Sequence, residues 1–257
     1  EWQPAHPHSE MPCGRGLAIA TQDKTTEIAE KILEAASRLG EEAEIFHVSS
    51  TSTPVSFEAN KIKAIDYNEA SGAAVRLIKG GRIGFGSSSD LANVDRLVGS
   101  AVETSEFGAE ARFQFPGAAE YPDVPVYDAS VNDVSLEEMV ALGQRVVDEL
   151  RAHSDEVQVE GGVSCSTSTI TLMNSRGGRV SYARTGFGVG FGGTVIRGED
   201  MLFTNESLSS VSPITDASEI VASIIRQLGW ASQTASVETK SMRVILMPRA
   251  VPSILLN

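Results

Sequence analysis

The chain has 257 residues, 41% of them hydrophobic and 21% charged, and a formal net charge of −13. That length allows one large or two ordinary domains with real cores, and no apolar run is long enough for a transmembrane helix. The acidic balance argues against a nucleic-acid surface, which needs clustered Lys and Arg to neutralise phosphates. It fits a soluble protein, and a cytoplasmic location is expected. Cys13 and Cys165 are too few for a disulfide framework or a zinc cluster and read as incidental thiols.

Residues 1–23 open with EWQPAHPHSEMPCGRG, which lacks the basic and apolar regions of a signal peptide. They read as a disordered leader or an expression remnant. Residues 24–109 read as an N-terminal α+β domain. Ile28, Ile32, Ala36 and Leu39 share one face of a helix over 25–39, ended by Gly40. Strand-like segments follow at 43–50, 55–61, 62–69, 72–79 and 82–87. Gly80-Gly81 suits a two-residue hairpin turn. Ser88, Ser89 and Asp90 offer N-cap oxygens to a second helix over 91–107, closed by Gly108.

Residues 110–134 hold Pro116, Pro122 and Pro125 and no sustained period, so they read as a linker or an extended crossing segment. Residues 135–240 form a central β-rich α+β region. Its first helix starts at a capping box, Ser135 with Glu138, and carries the stripe Met139, Leu142, Val146 and Leu150. Residues 157–203 read as long antiparallel strands rich in Gly, Ser and Thr. Asp216 and Glu219 cap a further helix, lined by Ile220, Ile224 and Leu228 and ended at Gly229. Residues 241–257 read as the truncated start of a C-terminal domain: a strand at 244–247, then a helix start at Ile254. The fold class expected is α+β, antiparallel sheets covered by helices, with a helix–sheet–helix pattern occurring twice.

Three blocks carry a family likeness. Residues 55–91 read VSFEANKIKAIDYNEASGAAVRLIKGGRIGFGSSSDL, residues 159–162 and 169–178 read VEGG and TITLMNSRGG, and residues 242–256 read MRVILMPRAVPSILL. In this order they resemble the TldD/PmbA family, metallopeptidase-related proteins also labelled modulators of DNA gyrase. The N-S-x-G turn and the V-E-G-G pattern look closer to the PmbA (TldE) branch. The resemblance implies a subunit of a zinc-metalloprotease system acting on unfolded or small peptides, including peptide-antibiotic precursors and antitoxins. It also implies a homodimer or heterodimer with a TldD/PmbA-type subunit. This segment would then supply scaffold, dimer and access-path surface, with zinc possible in a missing C-terminal domain or in the partner subunit. The alternative is a non-enzymatic, self-associating scaffold or regulatory module.

No catalytic, cofactor-binding or metal-binding residue is assigned. A helical zinc site needs two histidines one turn apart with an acidic base. His6 and His8 lie in the leader, His47 reads as a half-exposed sheet residue, and His153 follows the Ser135 helix. The run GFGVGFGG at 186–193 lacks the Lys-Ser/Thr of a P-loop and reads as a strand with close backbone approach. Glu58, Asp66 and Glu69 read as a solvated acidic face. Small side chains over 157–203 leave the backbone accessible, so an extended peptide could pair with a sheet edge there.

Overall fold

Ala43 and Ile45 are apolar at odd positions, as are Val55 and Phe57, and the shared phase makes them one strand, β1 (Glu42–Glu58), in place of the two expected. The computed structural model describes residues 17–198, 200–232, 235, 236, 238–246 and 250–255. Residues 1–16, with His6, His8 and Cys13, lie outside that set. Residues 17–23 belong to helix α1 (Leu17–Ser37), which starts earlier than expected.

After β1 the chain turns at Ala59 and Asn60, whose φ values of 48° and 68° suit a tight hairpin. It returns as β2 (Lys61–Ile65) and β3 (Asn68–Lys79). The pairs Val55↔Ile65 and Ser52↔Asn68 keep one register across the gap between them. Pro54 sits opposite that gap: Asp66 N–H donates to the Pro54 carbonyl at 3.1 Å. Proline has no N–H to return the bond, so the ladder breaks there. Gly80-Gly81, with φ of 58° and 70°, then turns the chain into β4 (Arg82–Ser88). Helix α2 (Val94–Ser105) is capped by Asn93, which accepts from Arg96 N–H, instead of by residues 88–90. Ser88 Oγ is engaged one turn earlier, accepting from Asp90 N–H at 2.9 Å.

Residues 110–134 form an ordered crossing segment. Glu110 bridges Arg82, Gly117 bridges Gly177, and Val126 C=O accepts from Thr185 N–H. A 3-10 turn (Ala129–Asp133) follows, then α3 (Leu136–His153), which carries the expected Ser135–Glu138 capping box. Three long strands come next: β5 (Gln158–Asn174), β6 (Arg179–Arg197) and β7 (Asp200–Ser210). Helix α4 (Ser218–Trp230) begins without a side-chain cap at Ala217, although Asp216 accepts from Ser218 N–H one residue away. No strand forms in 244–246; Val244, Ile245 and Leu246 are exposed and unpaired in the sheet, and residue 247 lies outside the described set. A short helix, α5 (Val251–Leu255), is the last element described.

The fold is α+β, and helix–sheet–helix occurs twice. Both sets of strands share one seven-stranded antiparallel sheet, ordered β4-β3-β1-β5-β6-β7, with β2 also on β1. The odd-numbered residues of β1, β5 and β6 face the helices. A smaller core joins Ile32, Ile45, Val75, Leu77, Val98 and Met173 beneath α1 and α2. A larger one joins Phe57, Leu150, Val189, Phe191, Ile220 and Ile224 beneath α3 and α4. Cys165 is buried in this larger core and is disulfide-bonded, so it is not an incidental thiol. Among the described residues, no helix is long and apolar enough to cross a membrane.

Candidate functional site

Strand alternation sends the even-numbered residues of β1, β5 and β6 to the face away from the helices. There Ser52, Ser166 and Gly186 align across three strands, and Pro54, Ser164, Gly188 and Ser209 align across four. The next row is Ser56, Gly162, Gly190 and Ser207. The middle of this open face therefore carries almost no side chain, which is the structural meaning of the 186–193 glycine run. Exposed Phe46 and Tyr182 stand at one end, and Met201, Phe203 and Ile196 at the other. Beside the β1–β2 turn, Ser56, Glu58, Lys63, Asp66 and Glu160 line a shallow groove, with Glu58 and Lys63 ion-paired. The groove gathers three carboxylates and one ammonium, while the rest of the face offers shape. It holds no nucleophile paired with a base.

The crossing segment closes the Phe46 end. Arg76 lies under the rings of Phe113 and Phe115, at 5.3 and 5.1 Å, while its guanidinium pairs with Glu44 at 2.6 Å. These cation–π contacts bury Phe115. Glu42 accepts from Phe115 N–H at 2.9 Å and from Arg176 at 3.0 Å. Those bonds, the Phe115 one foremost, hold the Glu42 carboxyl below its ordinary range. Asn174 is the hub of the β5–β6 turn. Its Oδ1 accepts from Arg176 and Gly178 N–H, and its Nδ2 donates to Pro116 C=O at 3.0 Å. The N-S-R-G-G motif thus fastens the crossing segment to the sheet.

His47 was expected half-exposed between Phe46 and Val48. It is buried at 1% exposure, and Phe46 faces solvent, because His47 shares the odd phase of Ile45. The signal lay in that phase; the apolar neighbours on either side hid it. His47 Nε2 meets Ser71 Oγ at 3.1 Å, while Nδ1 has no hydrogen-bond partner. Burial pushes the imidazole below its ordinary value, offset in part by the Thr25 backbone. His153 ends α3, at a cavity by Glu156, Arg197 and Leu228. The two described histidines therefore lie on different elements and do not converge. Among the described residues, no three His, Cys, Asp or Glu side chains converge as metal ligands. Those described residues do not fit a zinc centre.

Two family models match, described as PmbA/TldA metallopeptidase domain 1, over residues 43–105, and PmbA/TldA metallopeptidase central domain, over residues 129–231. No curated protein matches the sequence. Among solved structures, TldE from Thermococcus kodakarensis superposes with a TM-score of 0.67 at 17% identity, covering 80% of this chain and 48% of that one. A protein from Thermotoga maritima named as a candidate modulator of a DNA gyrase gives 0.65 at 14% identity, covering 79% and 47%. A similarly named protein from Bacteroides thetaiotaomicron gives 0.69 at 16% identity, covering 79% and 50%. At such identities the likeness shows the fold, and the chain spans about half the length of these structures. Because the two family models together match more than half of its residues, the chain belongs to the TldD/PmbA family.

Proposed function

We propose that this chain is the N-terminal scaffold of a TldD/PmbA-type subunit in a zinc-dependent proteolytic system, of the PmbA (TldE) branch. Its role is to build the subunit contact and to line the path along which unfolded or small peptides reach the proteolytic centre. Peptide-antibiotic precursors and antitoxins are the substrate classes expected. The observation that carries the reading is the open sheet face, whose small-residue rows expose backbone over three and four strands. A surface of that kind accepts an extended chain through shape, with little demand on its sequence; main-chain pairing is open only to an edge strand such as β7, because β5 and β6 are paired on both sides. The zinc of the system belongs to residues outside this chain, in the remainder of the subunit or in its partner.

The test uses the full-length protein, alone and co-expressed with a TldD-type partner. Zinc content and cleavage of an unfolded peptide are measured for both preparations. The PmbA-branch reading expects zinc and cleavage only when the partner is present. Zinc and cleavage by the protein alone would move it to the TldD branch. Cleavage by neither preparation would overturn the proteolytic role in favour of a non-enzymatic scaffold.

A further inference from the structure

Residues 116–125 of the crossing segment are all exposed, and the chain runs without a turn or bend from residue 119 to Asp128. Both ends of the stretch are fastened. Upstream, Asn174 holds Pro116 C=O and Gly117 bridges Gly177. Downstream, Val126 C=O accepts from Thr185 N–H, and Thr185 Oγ1 accepts from Asp128 N–H at 2.9 Å. Among the described residues, the one hydrogen bond made by any of residues 119–125 runs from Val126 N–H to Val124 C=O at 2.8 Å. An endopeptidase takes its substrate as an extended strand, by main-chain pairing along its cleft and pockets for alternate side chains. It needs several exposed residues in a row whose main chain is not already engaged. Residues 119–125 meet that need in the folded protein, with no unfolding step.

The sequence decides which kind of endopeptidase fits. No Lys or Arg stands between Arg112 and Arg145, so an enzyme that reads a cation has nothing to bind here. Tyr121 and Val124 are exposed large side chains, and each is followed by a proline, Pro122 and Pro125. The bond before a proline has no N–H and carries the ring at the point of attack, so cleavage after Tyr121 or Val124 is blocked. Ala118 and Ala119 adjoin the fastened Gly117. Glu120 and Asp123 remain: both are exposed, and each is followed by a residue other than proline.

We propose that this stretch is a processing site, at which an endopeptidase that reads an acidic side chain cuts after Glu120 or Asp123 and leaves a two-chain protein. Water adds across the peptide C–N bond, giving a new α-carboxylate on the acidic residue and an ammonium on Tyr121 or Val124. The pieces stay together because β1 lies in one and β5 in the other, paired from Glu44↔Asn174 to Phe57↔Gly161. Each core also draws on both pieces: Phe57 sits in the larger core with Leu150 and Phe191, and Met173 in the smaller one with Ile32 and Val75. The cut ends remain tied at Gly117 on one side and Val126 on the other. This site is independent of the proteolytic role proposed above, since here the chain is the substrate.

The test treats the natively folded full-length protein with a glutamyl endopeptidase and follows the products by N-terminal sequencing and size exclusion. New N-termini at Tyr121 or Val124 are expected before any within a helix or strand. The pieces should elute together at the volume of the intact protein and part only in denaturant. Glu120 and Asp123 make no hydrogen bond or ion pair among the described residues. Glu120→Gln combined with Asp123→Asn should therefore leave thermal unfolding unchanged and slow this cut by at least roughly tenfold. The proposal is overturned if those N-termini are absent when half of the intact chain has been consumed, or if the double variant is cut there at the wild-type rate. Cleavage at glutamates throughout the helices and strands at the same rate overturns it too, because unfolding would then be what admits the enzyme. Separation of the pieces without denaturant overturns the two-chain protein.

Discussion

The two ends of the sheet hold their helices by opposite arrangements. At the smaller core the glycine lies in the strand: a Cβ on Gly84 of β4 would stand 1.9 Å from the Ala101 carbonyl oxygen of α2. At the larger core the glycine lies in the helix: a Cβ on Gly143 of α3 would stand 2.3 Å from Cε2 of Phe57 on β1. Both contacts are equally close in kind, but what must yield differs. Against Gly84 it is helix backbone, fixed by its own ladder. Against Gly143 it is an aromatic ring, which can tilt within its contacts, including Phe191 at 5.6 Å. The position of a glycine therefore predicts which layer tolerates change.

The sharpest way to break this contrast is Gly84→Ala. It should destabilise the full-length protein by about 3 kcal/mol, the upper range for overpacking, as read by chemical denaturation. Hydrogen exchange should show α2 losing protection while α3 and α4 keep theirs. Loss in all three helices together would mean that the ends are one cooperative unit. Asn174→Ala tests the fastening of the crossing segment and should cost about 2 kcal/mol, since it leaves buried N–H and C=O groups unpartnered. Proteolysis should then cut within 110–125 more readily than in the wild type.

Gly143→Ala should cost about 1 kcal/mol net, because ring displacement is partly offset by the better helix propensity of alanine. A cost above that of Gly84→Ala would reverse the comparison. The smallest effect is electrostatic. The folded-state value of Glu42 is lowered from 4.5, so its contribution is complete above that pH and fades as the pH falls through the folded value. Glu42→Gln should flatten the acid limb of the stability curve for the Phe115 end and leave α3 and α4 unaffected.

Local features of this fold were legible because their physics is local. The Ser135–Glu138 capping box and the Gly80-Gly81 turn need only neighbours in sequence, and both formed as read. The single β1 strand was not legible, because Pro54 breaks only one of its two ladders and β5 carries pairing past it, Pro54↔Ser164. The inward His47 was misassigned for a related reason: strand phase is set by the core beneath, and the neighbouring Phe46 and Val48 pointed the other way. The Asn174 turn was recognised as a pattern. Its purpose required Pro116, which no spacing rule brings beside it. The small-residue open face was visible as composition over 157–203, yet its alignment with Ser52, Pro54 and Ser56 appears only through tertiary pairing.

The pairing of β1 with β5 has a consequence for synthesis. Its partners, from Glu44↔Asn174 to Phe57↔Gly161, are more than a hundred positions apart in the chain. At about 5–20 residues per second, β1 leaves the ribosome roughly 5–20 s before β5 follows it. For that interval the strand at the centre of the finished sheet has β2 and β3 along one side and nothing along the other. A nascent chain in that state presents the long unpaired edge that invites association with a neighbour on the same message. Its serines, threonines and Pro54 make the stretch 49–54 a poor template for such pairing. The polar interruption that divides the finished molecule into two cores thus also shields it while it is being made.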